Sequence, residues 1–355
     1  MNQLHRTLCF GLSMVVFSIM LPSGGFGRAL AAGDRDTAHT LSTESRYRLE
    51  KTSSGGVLVY CDEQPIAEYV IDQGNKPFLW NIVGPSGQIM TRCFPMKKVT
   101  GESSDHVHQR GLSFGHQGVN GFDTWAEAAS YGKSKQREKK LQTIGAIQHR
   151  KYVSVSGGPR AVIFSQNDFV DAQDTPLLSE NRRITFSHTP TTRIIDVDTD
   201  LIAKYGAVEL ADMKDAGLYI RVPDSMTVDR KQGGTIINSE GHRDAEAWSK
   251  HAAWVDYNGP VEAQHVGIAM LNHPSSFRHP TAWHVRNYGL FCANPFGLQQ
   301  MNPKSKSGKV SMKKGDRISL RHRFVFHDGD EQSGRIAEAF QEYSHMDPVA
   351  LDVKD

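Results

Sequence analysis

The sequence has few cysteines and no excess of charge of either sign. Four cysteines in 355 residues are too few for a disulfide-stapled scaffold. Lysine and arginine together number 41, against 39 for aspartate and glutamate, and this balance argues against a polybasic nucleic-acid binder. With 38% hydrophobic and 23% charged residues, the composition is that of a folded globular chain. We therefore expect no nucleic-acid partner.

Several signatures of large enzyme classes are also missing. The sequence has no P-loop, no G-x-G-x-x-G turn, no H-E-x-x-H helix and no C-x-x-C pair, and no nucleophile elbow is predicted. These absences argue against nucleotide hydrolysis, zincin chemistry, a cysteine zinc site and α/β-type serine hydrolysis. The chemistry must therefore come from less standard groupings of residues.

One apolar run stands out, at Leu8–Leu21, between a short basic start and an A-x-A-type site at 29–31. This order of segments is typical of a secretory signal peptide. The run is shorter than the ~20 residues that cross a bilayer as a helix, and an uncleaved anchor is the alternative. We expect 1–31 to be removed, 32–46 to form a flexible linker, and the protein to be exported to the periplasm or beyond the cell without stable membrane insertion.

Removal of that segment would take away the first cysteine. Cys61, Cys93 and Cys292 would remain, and this odd number allows at most one disulfide. We expect all three to be small, buried, apolar side chains.

From residue 47 onward, β-type sequence predominates. Arg193–Asp200 alternates apolar and polar residues as a strand with one solvated face does, and only Ser333–Tyr343 has a helical period. Because there is no β-α-β alternation, we predict an all-β fold: a large antiparallel β-sandwich with a short C-terminal helix. A single domain is expected over 47–346, followed by a C-terminal tail at 347–355. The predicted strands are Gly56–Tyr60, Ile66–Ile71, Phe78–Val83, Ile144–Val155, Ala161–Phe169, Arg182–Phe186, Arg193–Ile202, Leu218–Val222, Thr235–Asn238, Ala252–Tyr257, Val266–Leu271, Gly289–Cys292 and Ile318–Val325.

The first group of chemistry-bearing residues follows residue 105. If this segment is extended, His106, His108 and Arg110 point to one face, because strand side chains alternate. Two imidazoles and a guanidinium in a row can bind a metal, hold an anion, or form a purely structural polar ladder. Further along, His116 and Trp125 are candidates for contacting a substrate.

The second group lies in a proline-interrupted stretch after residue 271, which predicts a shaped loop that enters a strand. Loops on a rigid β scaffold often carry binding and catalytic side chains, and a hydrogen-bonded structural loop is the alternative. Its candidate residues are His273, His279, Trp283, His284, Arg286 and Asn294.

A third segment lies between these two. Glu240 or Glu246 is the most plausible carboxylate to act with an imidazole, and Lys250 is a candidate for holding a substrate hydroxyl or carboxylate. Together with Trp125 and Trp283, Trp254 offers a flat face for a sugar ring, although a single tryptophan more often belongs to the core.

The motifs Asp105–Leu112 and Asn272–Arg286, with Asp256-Tyr257 and Tyr288–Gly297, resemble those of a family of exported bacterial proteins labelled methane oxygenase PmoA-like. The resemblance runs from about Tyr60 to Tyr343. A particulate methane monooxygenase subunit spans the membrane several times, whereas this sequence has no apolar run of that length, so its residues do not indicate methane oxidation.

At the level of the fold, the chain also resembles the galactose-mutarotase-like β-supersandwich. That resemblance implies kinship of shape with aldose epimerases, some glycoside hydrolases and some polysaccharide lyases. It also implies that histidine and a carboxylate act on a concave sheet face.

These observations favour an exported carbohydrate-active enzyme, a hydrolase, lyase or epimerase, acting on a small-molecule or oligosaccharide substrate. One of His106, His108, His273 or His284 would transfer a proton, with Glu240 or Glu246 as its complement. Arg110 and Arg286 would hold an anionic or enolate-like oxygen. Two alternatives stay open at this point. One is an enzyme with copper, iron or zinc bound by histidines, so that a divalent metal would be its cofactor. The other is a non-catalytic glycan-binding envelope protein.

Overall fold

A computed structural model describes residues 46–132 and 134–353. The predicted signal peptide and all but the last residue of the predicted linker lie outside the described residues. Within the described part, two eight-stranded antiparallel sheets account for most of the regular structure, and a two-stranded sheet accompanies them. The predicted antiparallel β-sandwich is confirmed.

The first large sheet is formed mainly by the N-terminal half of the described chain. Its strands, in spatial order, are β1 (Tyr47–Lys51), β2 (Val57–Cys61), β3 (Gln64–Val70), β4 (Phe78–Trp80), β5 (Leu112–His116), β11 (Ala216–Arg221), β16 (Leu290–Ala293) and β15 (Trp283–Val285).

The second large sheet has longer strands. Its spatial order is β12 (Thr235–Asn238), β13 (Trp254–Val261), β14 (Gln264–Asn272), β18 (Arg317–Asp328), β9 (Thr192–Ile202), β8 (Pro176–His188), β7 (Ala161–Val170) and β6 (Ala146–Ser156). The small sheet pairs β10 (Val208–Leu210) with β17 (Val310–Met312).

The described helices are short. They are α1 (Arg137–Leu141), α2 (Leu298–Met301) and α3 (Ile336–Ser344), with 3-10 turns at Ala128–Tyr131, Asp224–Met226, Val228–Arg230 and Asp244–Ala247. The predicted C-terminal helix at 333–343 is therefore confirmed, shifted by a few residues. Between residues 46 and 353, none of the described helices has the length and apolar character needed to cross a membrane.

Both large sheets contribute to one apolar core, and strand alternation decides which residues enter it. In β11, Leu218 and Ile220 lie in the core, whereas Tyr219 belongs to a separate cluster on the opposite face together with Cys292. Arg221, two residues after Tyr219, shares that opposite face by the same period. We call this the outer face of the first sheet.

The thiols follow the expectation only in part. Cys61, Cys93 and Cys292 are all free; Cys61 and Cys292 are buried, whereas Cys93 is half-buried.

The outer face of the second sheet is covered by α3 and the residues that follow it. Ile336 and Tyr343 of the helix pack on Leu271 and Val325. Beyond the helix, Leu351 is fully buried, and its carbonyl accepts a hydrogen bond from Asn181. The part of the predicted tail that is described is thus docked on the sheet.

A buried ion pair links β13 and β18 of the second sheet. His327 Nε2 lies 2.7 Å from Asp256 Oδ2, and both side chains are almost fully buried. The ring lies against Gly267 and Gly334, where an added Cβ would meet it at 2.2 and 2.5 Å. Burial alone would lower the pKa of His327, but the hydrogen bond and charge of Asp256 outweigh it, so the pKa is raised above 6.5.

This pair predicts a pH dependence of stability. Because the folded pKa is raised above the unfolded value, the contribution of His327 is fully present below about pH 6.5 and is lost as the pH rises through the folded pKa. Burial lowers the pKa values of other histidines, and those groups add stability as the pH rises, so the contribution of His327 is measured as a difference. In calorimetric unfolding, the excess stability of the wild type over His327→Gln should shrink as the pH rises from 6 to 8.

Asp256→Asn, which removes the partner of His327, should lose the same pH-dependent excess. A difference from the wild type that stays constant with pH in both variants would contradict the assignment.

Candidate functional site

The outer face of the first sheet carries a polar floor. Alternation places Ser113 of β5, Tyr219 and Arg221 of β11, His284 of β15 and Cys292 of β16 on this face, while their neighbours in sequence fill the core. Every one of these five residues is buried. Loops from several parts of the chain cover the floor and supply the other side chains of the site.

Asp105 organises one side of the floor. Its Oδ1 accepts hydrogen bonds from Arg92 at 2.5 Å and Arg221 at 3.1 Å, and its Oδ2 lies 2.8 Å from Nδ1 of His106. Burial opposes ionisation of Asp105, but the His106 contact and the two guanidinium charges outweigh burial and hold its pKa well below the usual range. One ionised carboxylate therefore ties two buried arginines to a histidine.

His106 is not in a strand, so the expectation of an extended segment is wrong. Its backbone has φ of 42°, and the Gln109 amide donates to the His106 carbonyl, which closes a turn. The left-handed conformation is uncommon for a residue with a side chain. The turn stacks the 41%-exposed His106 ring on Tyr288, with centroids 5.0 Å apart, and leaves the His108 ring 5.9 Å away.

His108 and Arg110 therefore diverge instead of forming a row. His108 is half-buried, and its Nδ1 lies 2.9 Å from the Ser130 hydroxyl. Burial, reinforced by the nearby charge of Lys76, lowers the pKa of His108 well below its usual value. Arg110 donates two hydrogen bonds to the carboxylate of Glu127.

Trp125 packs over the floor beside His108. Its ring lies 4.7 Å from that of Tyr219 and 6.4 Å from that of His108. Because Trp125 is only 2% exposed, it is a wall of the site more than an open platform.

His284 occupies the other end of the site. Its Nδ1 donates to the Lys214 carbonyl at 2.5 Å, which leaves Nε2 as the acceptor nitrogen. Burial lowers its pKa to about 4, so the ring is neutral at physiological pH. The adjacent Asp215 pairs with the Lys214 ammonium at 2.9 Å, and its charge influences the pKa values of His284 and Tyr288.

A cavity of about 350 Å³ lies next to Tyr288 and Trp248, the aromatic neighbours of His106 and His284. Arg286 lines it, with its guanidinium carbon 5.4 Å from the ring centre of Trp248 and 5.8 Å from that of Tyr288. The Trp248 ring lies 6.4 Å from that of His284. The lining residues are Asp229, Ala245, Trp248, Val285, Arg286, Asn287 and Tyr288. Its size is within the range of small-molecule sites.

The side chains thus form one continuous series of neighbours, which we call the imidazole–aromatic arc. Its members, in spatial order, are Trp125, His108, His106, Tyr288, Arg286, Trp248 and His284. Five of its members are site residues predicted from the sequence. Trp125, His106 and His108 come from the first group of chemistry-bearing residues, and His284 and Arg286 come from the second.

Other candidates of the second motif lie elsewhere. Under α3, the His273 ring lies 4.9 Å from that of Tyr343, and its Nε2 donates to the Met346 carbonyl. His279 stacks on Phe340 of the same helix, and Trp254 packs in that cluster. The expectation of one cleft containing all these residues is therefore corrected, because docking of the helix uses them as its contact surface.

Two more candidates face the core. His116 follows Leu112 and Phe114 on the inner side of β5, where burial lowers its pKa to about 3. Trp283 is fully buried, and its indole N–H donates to the Ala252 carbonyl. Neither side chain reaches the outer face, because each occupies a strand position whose side chain points into the core.

Glu240 and Lys250 are exposed on loops. Glu240 accepts a hydrogen bond from Ser239, its neighbour in sequence. In the described structure, no arc histidine forms a hydrogen bond or ion pair with either residue, so the pairing of Glu240 with a site imidazole is not supported by contact.

Asn294 is buried beside the site and joins two neighbouring segments through four hydrogen bonds, a role that we call a clamp. Its amide nitrogen donates to the carbonyls of Met213 and Lys214, and its amide oxygen accepts from the amides of Phe296 and Gly297. The Lys214 carbonyl is the one that also holds His284. Asn294 therefore positions His284 rather than contacting a ligand.

Sequence reasoning missed Asp215, Trp248 and Tyr288 as site residues. Tyr288 follows Arg286 by two residues, and this spacing was the available signal. Asp215 has no local signal, because its partners His284 and Tyr288 are about seventy residues further along the chain.

Sequence reasoning also overlooked that Gly111–Gly115 has the spacing G-x-S-x-G. The structure places Ser113 within β5, and its hydroxyl donates to the Pro77 carbonyl at 2.8 Å. A nucleophile elbow needs a strand-to-helix turn that exposes the serine, so the conclusion that no elbow is present holds.

For a metal, at least three suitable side chains must converge. Among residues 46–132 and 134–353, no three His, Cys, Asp or Glu side chains are grouped so that they could hold a metal ion. The arrangement of His106 and His108 accordingly offers two neighbouring imidazoles without a third ligand.

Comparison with known families gives a clear assignment. Residues 56–341 match the model of a family of unknown function, DUF6807. The chain belongs to this family. The resemblance to proteins labelled methane oxygenase PmoA-like stays a prediction. No curated protein matches the sequence.

Solved structures with similar topology share little sequence with this DUF6807 protein. A GH36 α-galactosidase of Geobacillus stearothermophilus aligns with 81% of this chain and 41% of its own, at 9% identity and a TM-score of 0.41. A heparan sulfate lyase of Pedobacter heparinus aligns over 81% and 36%, at 10% identity and a TM-score of 0.33. This chain thus spans about two-fifths of the length of these enzymes.

A galactose mutarotase-related enzyme of Lactobacillus acidophilus aligns over 79% of this chain and 97% of its own, at 7% identity and a TM-score of 0.30. At such identities and TM-scores these neighbours bear on neither the site nor the reaction.

The clamp role of Asn294 predicts a large loss of stability on truncation. Asn294→Ala would remove four hydrogen bonds and leave buried backbone groups unsatisfied, so we expect the free energy of unfolding to fall by about 2–4 kcal/mol. Urea denaturation measures this. The matched control Asn302→Ala, at an exposed position, should change it by less than about 1 kcal/mol. Equal effects of the two substitutions would contradict the clamp.

Proposed function

We propose that this protein is a carbohydrate-active enzyme that moves protons between a bound sugar and two imidazoles, His106 and His284. One observation carries the proposal: both rings belong to one arc beside a 350 Å³ cavity, and each has its Nδ1 held by an oxygen acceptor. Within the described residues, Nε2 of each ring has no hydrogen-bond partner. Two oriented imidazoles with unengaged nitrogens are suited to proton transfer.

The environments of the two rings differ in a way that divides their roles. His284 is buried, and its Nδ1–H is engaged by the Lys214 carbonyl, so Nε2 is the unprotonated nitrogen and the one able to accept a proton. His106 is exposed to solvent, and its Nδ1 lies 2.8 Å from the carboxylate of Asp105. We assign His284 as base and His106 as acid.

The surroundings of the cavity suit a sugar. Trp248 and Tyr288 offer aromatic faces against which the C–H face of a pyranose can pack. In the described structure, the indole nitrogen of Trp248 and the side-chain oxygen of Asn287 have no hydrogen-bond partner. Buried polar atoms without partners are costly, and hydroxyl groups of a ligand would satisfy them.

This chemistry favours a lyase or an epimerase among the three reaction types. Glycosidases of the usual kind use a pair of carboxylic acids flanking the scissile bond. The arc contains imidazoles and a guanidinium instead, so we propose proton abstraction at a ring carbon as the central step. Export, inferred from the predicted signal peptide, would place this activity outside the cytoplasm.

The proposal predicts loss of turnover in His284→Ala and His106→Ala. Purified protein is incubated in D2O with a panel of neutral and acidic sugars and oligosaccharides. NMR then follows deuterium uptake at ring carbons, new double bonds and new reducing ends. Because general acid–base catalysis contributes about 10²- to 10⁴-fold, each substitution should reduce the rate by that amount.

The matched control is His345→Ala, at an exposed histidine near the end of α3, which should leave the rate unchanged. Circular dichroism verifies folding of each variant. Sugar binding without any exchange or product would identify a binding protein and refute the catalytic proposal.

A further inference from the structure

We propose that the cavity selects acidic sugars and that Arg286 binds their anionic group, a carboxylate or a sulfate ester. This inference rests on the proposed function, and it names the substrate class of the same site. The argument depends on how Arg286 is held, on the charges beneath it and on the one acidic residue that shares the cavity.

Arg286 is oriented without using its hydrogen-bond donors. Its guanidinium lies near the rings of Trp248 and Tyr288, at 5.4 and 5.8 Å from their centres. Among the described residues, no carboxylate lies within 4.0 Å of Arg286, and its side chain donates no hydrogen bond. Most of the site's other arginines are paired: Arg92 and Arg221 with Asp105, and Arg110 with Glu127. Arg286 is thus preorganised, with its planar set of donors open to a ligand.

The floor under the cavity adds positive charge. Two buried guanidiniums, those of Arg92 and Arg221, share the single carboxylate of Asp105. The guanidinium of Arg221 lies 4.7 Å from the ring centre of Tyr288, so this ring contacts two cations, Arg221 and Arg286. Partial enclosure strengthens such fields, because solvent screens them less.

Two acidic residues oppose this field without cancelling it. Asp229 lines the cavity but forms no ion pair with Arg286 within 4.0 Å. Asp215 is paired with the Lys214 ammonium at 2.9 Å. Among the lining residues, Arg286 carries the one positive charge and Asp229 the one negative charge. A ligand that places its anion on Arg286 and a hydroxyl near Asp229 would match this distribution.

The test compares sugars that differ only in the acidic group. Isothermal titration measures binding of glucuronate against glucose, galacturonate against galactose, and glucose 6-sulfate against glucose. Charge-assisted hydrogen bonds should make at least one acidic sugar bind about ten- to a hundredfold more tightly than its neutral counterpart. The uronate and sulfate arms show which anion the site prefers. Added salt should reduce the preference.

Variants locate the source of the preference. Arg286→Gln should abolish it while neutral-sugar binding is kept, and Arg286→Lys should retain part of it, because the charge stays but the paired donors are lost. Asp229→Asn should strengthen binding of the acidic sugar. The control Arg160→Gln, at an exposed arginine of the β6–β7 turn, should change nothing.

Three outcomes would overturn the inference. They are equal binding of acidic and neutral sugars, a preference that survives Arg286→Gln, and no binding by any sugar of the panel. The first two leave the proposed function intact, since proton transfer at His106 and His284 would proceed on neutral sugars. Only the third, joined with absence of exchange in D2O, removes both proposals.

Discussion

The carboxylate of Asp105 is the contact on which the arrangement of the site depends. It joins an arginine of the sheet, Arg221, to an arginine of a covering loop, Arg92, and to the imidazole of His106. Arg92 and Arg221 are almost fully buried, so without this carboxylate two like charges would face each other without compensation. The turn that stacks His106 on Tyr288 is therefore fixed by an electrostatic requirement of the floor beneath it.

Strand alternation explains why the remaining residues of the site converge. Trp283 and Val285 face the core, so His284 between them faces outward. Leu218 and Ile220 also face the core, so Tyr219 and Arg221 of the same strand face outward. Residues paired across neighbouring strands point to the same face of the sheet, so outward side chains from distant parts of the sequence meet on one surface. The site is a consequence of packing the core, with loops adding Trp125, Trp248 and Tyr288 above it.

Much of the fold follows from local sequence, and part of the site does too. The strand predicted at 193–202 corresponds to β9, because alternation over the eight residues 193–200 is a strong signal. β5 was missed because its buried Ser113 and His116 disguise a core strand. His273 and His279 were misplaced because nothing local indicates that α3, about sixty residues later, docks on them. Asp215 was missed for the same reason: its role exists only through non-local pairing of strands.

The central claim is that ligand binds along the imidazole–aromatic arc and not at the histidines beneath α3. The most direct measurement is long-range proton–nitrogen NMR of the histidine side chains during titration with glucuronate and galacturonate. The account predicts that ring-nitrogen resonances of His106 and His284 shift in a saturable way, whereas those of His273 and His279 do not move. Saturable shifts confined to His273 and His279, with His106 and His284 unchanged, would contradict it.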